Sequence, residues 1–134
     1  MRDEDLAAVL EGLHRLQDIK SITYNKNEFG MKSAEALKTI VGLRYIPYHL
    51  EELRLVNCKI SPQSMSVFLD VLEERNYIKR LALVNAQIND GNLKKIIPFI
   101  KSSRYLVELD LSWNTFRNKN LIEFFDAIGE NKQL

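Results

Sequence analysis

Few side chains in this chain are suited to catalysis or to metal binding. The candidates are two histidines, His14 and His49, and one cysteine, Cys58. The sequence contains no H-E-x-x-H, C-x-x-C, G-x-G-x-x-G or G-x-x-x-x-G-K-[ST] motif, which are signatures of metal, redox and nucleotide sites. A metal site needs three or four converging ligands. The sequence therefore predicts a protein that is not an enzyme and has no catalytic, metal or cofactor site.

Each of these three residues has a structural interpretation. His14 falls on the outer side of the first predicted helix and His49 in a connection, so both are expected to face solvent. Cys58 follows a predicted strand at a bend where small residues are expected, which predicts a buried and unreactive thiol. A lone cysteine cannot form an internal disulfide, and the N-terminus has no apolar signal region. These features predict a cytoplasmic protein.

Charge and hydropathy exclude two classes of partner. The net charge is +1, from 19 basic and 18 acidic residues, so no global field attracts nucleic acid or an anionic membrane. No apolar run approaches the roughly 20 residues that a membrane span needs. Residues 92–101 and 117–126 combine basic and aromatic side chains, but the aromatics fit the buried stripe of predicted helices. We therefore predict a protein partner, no nucleic acid and no membrane.

A repeated motif organises the whole chain. The stretch LVELDLSWN at residues 106–114 has relatives upstream, all following the pattern apolar-x-x-apolar-x-apolar-x-x-(Asn/Cys/Ala). The four copies begin at Ile19, Leu50, Ile78 and Leu106, so they are 31, 28 and 28 residues apart. Such a period predicts stacked structural units.

The second half of each unit has helical spacing. Apolar residues recur at i, i+3, i+4 and i+7, which is one face of an amphipathic helix. The predicted buried stripes are Leu6, Val9, Leu10 and Leu13; Met65, Phe68, Leu69 and Leu72; Leu93, Ile96, Ile97 and Ile100; and Leu121, Phe124, Phe125 and Ile128. Each unit is therefore a short strand, a turn and a helix, which is an α/β architecture.

The period predicts one domain over residues 1–134. It comprises a partial repeat at 1–18, repeats at 19–49, 50–77, 78–105 and 106–133, and the start of another at Leu134. We expect this domain to be a segment of a longer array. Neighbouring strands at its two ends would then be missing, which predicts self-association through the exposed ends.

Individual residues predict where helices start, stop or bend. Ser61 and Pro62 are typical of an N-cap and a first helical position, and Gly129 is typical of a helix stop. Pro98 predicts a kinked or shortened helix in the third full repeat. Pro47 lies in the longer first repeat and predicts an extended connection.

The residue at the bend after each strand differs between repeats. Asn27 and Asn114 have amides that can donate to and accept from unpaired backbone groups. Cys58 is a compact substitute, whereas Ala86 cannot form a side-chain hydrogen bond. We expect water or a neighbouring residue to satisfy the backbone at Ala86.

The pattern LxxLxLxxNxL at a period of 28 resembles the leucine-rich repeat, and the full helix per unit is similar to the ribonuclease-inhibitor-like subclass. The resemblance extends from Leu6 to Leu134, with Tyr24 replacing a leucine and Ala86 an asparagine. It implies a solenoid in horseshoe form, with short parallel strands on the concave face and helices on the convex face. It also implies an intracellular module that binds proteins.

The candidate binding surface is the concave face of the predicted sheet. Side chains between the buried leucines point outward and align in rows across the repeats. The rows are Ser21, Glu52, Arg80 and Glu108; Thr23, Arg54, Ala82 and Asp110; Asn25, Val56, Val84 and Ser112; and Lys26, Asn57, Asn85 and Trp113. The predicted protein-binding residues are Glu52, Arg54, Val56, Arg80, Val84, Glu108, Asp110 and Trp113.

Two of these assignments have alternatives. Glu52, Arg80 and Glu108 alternate in sign, so they can pair with one another and contribute little else. Trp113 aligns with polar residues, which places it outside the core and makes it a candidate contact residue. It can instead pack on a further repeat.

Three functions remain open on the sequence. The leading one is a rigid, non-catalytic scaffold that presents its concave face to a protein partner. The second is a GTPase-activating regulator, because Ran GTPase-activating proteins are similar in repeat type, although no residue here matches the catalytic role. The third is a cytoskeleton-binding or purely structural segment, as in tropomodulin-like repeats.

Overall fold

A computed structural model describes residues 1–13, 19–41, 50–74, 77–117 and 120–134. The helices in this part of the chain are α1 (Asp3–Leu13), α2 (Met31–Val41), α3 (Pro62–Glu74), α4 (Asp90–Ser102) and α5 (Leu121–Glu130). The strands are β1 (Ser21–Asn25), β2 (Glu28–Phe29), β3 (Glu52–Val56), β4 (Lys59–Ile60), β5 (Arg80–Val84) and β6 (Glu108–Asp110). His14, His49 and Pro47, with the predictions made for them, lie outside the described residues.

The main sheet is entirely parallel and has the strand order β1-β3-β5-β6. Its register aligns Ser21 with Glu52, Glu52 with Arg80, and Arg80 with Glu108. These partners are 31, 28 and 28 residues apart in the sequence, which is the spacing of the repeated motif. The short strands β2 and β4 form a second parallel pair after the bends.

The helices pack side by side in chain order and cover one face of the main sheet, with a single apolar core between the layers. In α3 and α4 the predicted stripes are confirmed, because all eight residues are buried. None of the helices in the described ranges is both long and apolar enough to span a bilayer.

At the two outermost helices the predicted stripes are confirmed only in part, since Leu6, Leu10 and Phe124 are buried. Val9 on α1 is exposed, and Phe125 on α5 is 63% exposed. In the described structure α1 packs on α2 and α5 packs on α4, so each outer helix has a helical neighbour on one side. A residue that is buried between two units elsewhere therefore faces solvent at the ends.

The predicted helix start is confirmed, whereas the shortening predicted at Pro98 and the helix stop predicted at Gly129 are wrong. Ser61 Oγ accepts a hydrogen bond from Ser64 N at 3.1 Å, and α3 begins at Pro62. Pro98 does not shorten α4, which has 13 residues like α3. Since Pro98 is exposed, water can satisfy the carbonyl that its missing N–H leaves free. Gly129 lies inside α5, which ends at Glu130 with Asn131 as its C-cap.

Asn114 provides the hydrogen bonds that Ala86 lacks. Its Oδ1 accepts from Ala86 N at 3.0 Å and Ile88 N at 3.1 Å. Its Nδ2 donates to the carbonyls of Leu83 at 2.6 Å and Leu111 at 2.9 Å. One side chain thus ties together two successive bends, and the expectation that a neighbour satisfies Ala86 is confirmed.

Two other side chains link successive units. Asn131 Nδ2 donates to the carbonyls of Ile100 at 2.7 Å and Ser103 at 3.1 Å, so it caps the end of α4 from the following unit. At the other end of the chain, Asp3 accepts hydrogen bonds from the backbone at the start of α2. Stacking is therefore reinforced by polar contacts at the edges of the apolar core.

Candidate protein-binding surface

The face of the main sheet opposite the helices is open, and we call it the open sheet face. Along β1 and β3, buried and solvent-accessible residues alternate, with the buried residues directed to the helices. All four predicted rows lie on this face or immediately after its strands. The predicted binding residues placed there are Glu52, Arg54, Val56, Arg80, Val84, Glu108, Asp110 and Trp113.

Charged side chains on the open sheet face form one connected network. Arg80 Nη2 lies 3.2 Å from Glu52 Oε2, and Arg54 Nη1 lies 3.6 Å from Glu52 Oε1. Arg54 Nη1 also lies 4.0 Å from Glu108 Oε1. The four side chains are partly exposed, so these pairs contribute little to stability. Their effect is to hold long side chains in defined positions.

Arg54 reaches from β3 to β6 across the intervening strand. The residue between them in its row is Ala82, whose methyl group leaves room for the long side chain. Ala82 was predicted to face outward and does so by register, yet it is buried.

Asp110 is held by local hydrogen bonds near the end of the open sheet face. Its Oδ1 accepts from Ser112 N at 2.9 Å and from Ser112 Oγ. These hydrogen bonds, helped by the charge of Arg54, hold the pKa of Asp110 below its ordinary value although burial opposes them. The carboxylate is therefore charged at neutral pH and fixed in direction.

A small apolar strip runs beside the charged network. Val56 and Val84 are neighbours in register and both are half-buried. With the buried methyl of Ala82 in the preceding row, they form a small apolar patch at the carboxyl ends of β3 and β5.

The row that ends in Trp113 has a special backbone. Lys26, Asn57, Asn85 and Trp113 all have positive φ, with values of 57°, 54°, 47° and 61°. Asn tolerates this left-handed region better than other non-glycine residues. Asn85 Nδ2 also donates a hydrogen bond to Asn57 Oδ1 at 2.8 Å, so the side chains of these two neighbours in the row are linked.

Trp113 is exposed like the other members of its row but departs from them in type. It is 85% exposed, so its indole packs on little of the described chain. The polar residues of its row had indicated a solvent-facing position, and that is confirmed. A large aromatic residue in a left-handed backbone conformation is unfavourable, and neither packing nor turn geometry explains it here.

Groups suited to chemistry do not come together in the described structure. Cys58 is buried, its Sγ contacts the carbonyls of Tyr24 at 3.6 Å and Val56 at 3.5 Å, and burial raises the pKa of its thiol. The thiol is therefore in its less reactive protonated form. Among the described residues no group of three or more His, Cys, Asp and Glu is arranged to hold a metal ion.

Sequence reasoning missed several exposed apolar residues beyond Trp113. Val107, Ile122 and Phe125 all lie in the last repeat and are exposed. Val107 and Ile122 had a signal in the sequence, because the equivalent residues of earlier repeats are polar.

Comparison with known proteins agrees with the architecture. No protein-family profile matches the chain, and no curated protein matches it. Among solved structures, the tropomodulin C-terminal domain of Caenorhabditis elegans is similar with a TM-score of 0.62 and 11% identity, over 93% of this chain and 92% of that one. An internalin from Listeria monocytogenes has a TM-score of 0.41 and 14% identity, over 92% of this chain and 48% of that one.

At these identities the likeness concerns the fold alone. The tropomodulin domain has a leucine-rich-repeat-type fold and matches over almost its whole length. This supports a leucine-rich-repeat-type fold of parallel strands and helices for the present chain.

Proposed function

We propose that this protein is a non-catalytic binding module that recognises a protein partner through the open sheet face. The observation that carries the proposal is Trp113, which is 85% exposed and has a φ of 61°. Left-handed backbone costs a non-glycine residue about 1–2 kcal/mol. Tryptophan is among the residues most enriched at the energetic centres of interfaces. A binding contact gives this residue a role that folding does not.

The surface around Trp113 fits recognition by a preformed face. Asp110 is fixed by Ser112, and Arg54 and Arg80 are held by Glu52. Since these side chains are already ordered, a partner that meets them loses less conformational entropy on binding. The rows thus present ordered charged side chains beside the half-buried residues Val56 and Val84.

The proposal extends to the organisation of the chain. We infer one domain over residues 1–134, built of ribonuclease-inhibitor-like repeats with the boundaries given above and forming part of a horseshoe-shaped array in the cytoplasm. The match between the strand register and the sequence period supports the repeats.

The test compares two double variants of this protein. Trp113→Ala with Asp110→Ala removes the contact residues, while Glu73→Ala with Lys94→Ala alters exposed residues of α3 and α4 as a matched control. Proteins bound by each immobilised variant are crosslinked and quantified by mass spectrometry. We expect a partner that the wild type and the control retain and the first variant loses by about 30-fold, since a hot spot is worth 2 kcal/mol or more. Equal retention by all three would contradict the proposal.

A cytoskeletal partner is the second candidate, because the tropomodulin domain shares the fold. Co-sedimentation with actin filaments and with microtubules tests it, using the same two double variants. Loss of pelleting in Trp113→Ala with Asp110→Ala identifies the filament as the partner. A GTP-hydrolysis assay with small GTPases tests the regulator hypothesis in the same way.

A further inference from the structure

Two stacked tyrosines lie where the chain enters the last two strands of the main sheet. Tyr77 stands three residues before β5, and Tyr105 stands three residues before β6. Their ring centroids are 5.7 Å apart, and their ring planes form an angle of 30°. Tyr77 is 44% exposed and Tyr105 is 46% exposed. We call these two residues the tyrosine pair. Because they precede the strands, they lie at the opposite edge of the sheet from the bends that follow the strands.

The exposure of the tyrosine pair is not produced by the ends of the chain. Tyr77 has Tyr105 beside it, and Gln133 holds the equivalent position after Tyr105 and belongs to the described structure. The residues that follow the two tyrosines, Ile78 and Leu106, are 1% and 0% exposed. In two successive repeats the chain therefore directs one residue to the core and the tyrosine before it to solvent.

The backbone around the tyrosine pair is fixed by hydrogen bonds. Val107 N donates to the carbonyl of Lys79 at 2.8 Å, which holds the two chain segments side by side. Leu106 N donates to Ser103 Oγ at 3.2 Å, which closes the turn that carries Tyr105. A partner that meets residues on a fixed backbone loses less conformational entropy on binding. The tyrosine pair is therefore a preformed aromatic surface.

The repeat does not require an aromatic residue at this position. The row consists of Asp18, His49, Tyr77, Tyr105 and Gln133, so its other members are polar. Stacking of the two rings contributes to folding whether or not a partner is present. A tyrosine also offers a partner an apolar ring and a polar hydroxyl, and tyrosine is enriched at protein interfaces. The position thus suits a contact surface, and the charges around it indicate the chemistry of the partner.

Basic side chains flank the Tyr105 end of the pair. Arg104 immediately precedes Tyr105, and Lys132 holds the equivalent position in the following repeat. Both are exposed, and neither forms an ion pair with a described residue. On the other side of the pair, Glu74 and Arg75 offset each other in formal charge. Positive charge is therefore available beside Tyr105.

The acidic residues at this edge of the sheet are already paired with lysines. Glu51 pairs with Lys20 at 3.4 Å and with Lys79 at 3.0 Å, so one carboxylate serves two ammonium groups. Glu130 pairs with Lys101 at 3.5 Å. The edge therefore keeps a surplus of positive charge, which is complementary to a carboxylate of a partner.

We propose that the tyrosine pair and Arg104 bind an extended, acidic and proline-rich segment of a partner protein. Such a segment adopts the polyproline II conformation, which has no internal hydrogen bonds and leaves its carbonyl groups free to accept from tyrosine hydroxyls. Its proline rings pack on the tyrosine rings, as in other aromatic-lined sites for this conformation. A carboxylate of the segment pairs with Arg104. A cationic segment, which aromatic faces also attract, would bring like charge against Arg104.

The test uses a peptide of repeated Pro-Pro-Asp triplets. Because polyproline II has about three residues per turn, the aspartates lie along one side of this peptide and the prolines along the others in every register. The matched peptides are repeated Pro-Pro-Lys and repeated Ala-Ala-Asp triplets. Titration calorimetry measures affinity, and the NMR ring resonances of Tyr77 and Tyr105 show where the peptide binds. We expect saturable binding of the first peptide with shifts of both rings, and about fivefold weaker binding of the other two.

Variants of the protein separate a contact role from a folding role. Tyr105→Ala should weaken binding of the Pro-Pro-Asp peptide about fivefold or more, because it removes one ring of the surface. Arg104→Glu should remove the preference for Pro-Pro-Asp over Pro-Pro-Lys. Lys94→Glu makes the same change of charge at an exposed position near the start of α4, and it should keep the preference. Thermal unfolding of each variant shows whether it is folded, and Arg104→Glu provides the test if Tyr105→Ala is not.

Four results would overturn the proposal. They are the absence of saturable binding by the wild type, equal affinity for the three peptides, tighter binding of Pro-Pro-Lys, and binding that leaves both tyrosine rings unshifted. A folded Tyr105→Ala variant with unchanged affinity would likewise show that the stack serves folding alone. None of these results bears on binding through Trp113, which lies at the opposite edge of the sheet.

Discussion

The carboxylate of Asp3, in the first turn of α1, accepts a hydrogen bond of 2.7 Å from the backbone N–H of Gly30. It also accepts from the backbone N–H groups of Lys32 at 3.1 Å and Ser33 at 3.0 Å. These groups open α2, where helix N–H groups have no partner within the helix. Asp3 is thus a helix cap supplied by the preceding unit.

This cap predicts a pH dependence of stability. Burial pushes the pKa of Asp3 up, but the hydrogen bonds from Ser33, Gly30 and Lys32 outweigh it and hold the pKa below its ordinary value. A lowered folded pKa contributes stability that is present above the unfolded pKa of about 3.9 and is lost as pH falls through the folded value. Asp3→Asn should flatten the stability curve below pH 5 in urea unfolding followed by circular dichroism. Asp5→Asn, at an exposed position, is the control and should keep the wild-type slope.

Substitutions at Gly30 and at Asp3 should have coupled effects on the free energy of unfolding. A Cβ at residue 30 would collide with the Asp3 carboxyl group and displace it from α2. We expect Gly30→Ala to destabilise the protein by about 1 kcal/mol, similar to the loss of a helix cap. Added to Asp3→Ala it should cost little more, because the cap is already gone. Fully additive losses in chemical denaturation would show that Gly30 acts independently of Asp3.

Asn114 predicts a large effect for a half-buried polar residue. Asn114→Ala removes its hydrogen bonds to the bends after β5 and β6, including those to Leu83 and Ala86. Each buried group left unpaired costs about 1–3 kcal/mol, so thermal unfolding should shift down by several degrees. Asn25→Ala removes an exposed amide that accepts a 3.4 Å hydrogen bond from Asn57 Nδ2, and it should change stability by less than half as much. A similar effect of both would contradict the role given to Asn114.

Trp113 predicts opposite changes in stability and binding. Trp113→Asn places the residue of Asn57 and Asn85 at the same left-handed position, so we expect a gain of about 0.5–1 kcal/mol in unfolding free energy. Trp113→Ala removes the indole without an equal backbone benefit and should be less stable than Trp113→Asn. Both should weaken partner capture equally. If Trp113→Asn unfolds at a lower temperature than the wild type, the tryptophan stabilises the fold despite its exposure and the prediction is wrong.

Tyr24 carries a buried hydroxyl that finds no hydrogen-bond partner among the described residues. Burial raises the pKa of Tyr24 from 10.0 to about 12. Because burial penalises the charged phenolate, the folded state loses stability as pH rises above the ordinary pKa of 10.0 toward 12. We expect Tyr24→Phe to stabilise the protein at neutral pH by about 1 kcal/mol and to abolish this alkaline loss. Tyr77→Phe, at an exposed tyrosine, is the control in thermal melts at pH 7 and pH 11.

The strand register could be predicted from the sequence because apolar spacing is strict at every copy. The same comparison placed Trp113 outside the core, although only the structure shows why its row is polar, namely a left-handed backbone at each member. Phe125 has the same apolar spacing as Ile97, and its exposure depends on which neighbours are present in space. Asp3 could not be predicted as a cap of α2, since that contact joins residues 27 positions apart.

The contacts of Asn114 and Asn131 give the domain a mechanical polarity. Both side chains satisfy backbone carbonyls of the unit that precedes them. A force that peels the chain away from its C-terminal end removes these donors first and leaves the carbonyls of Leu83 and Ile100 without them. Loss of residues 106–134 in this direction therefore weakens the repeat at residues 78–105, so extension from Leu134 should release α5 and β6 before α4 and β5.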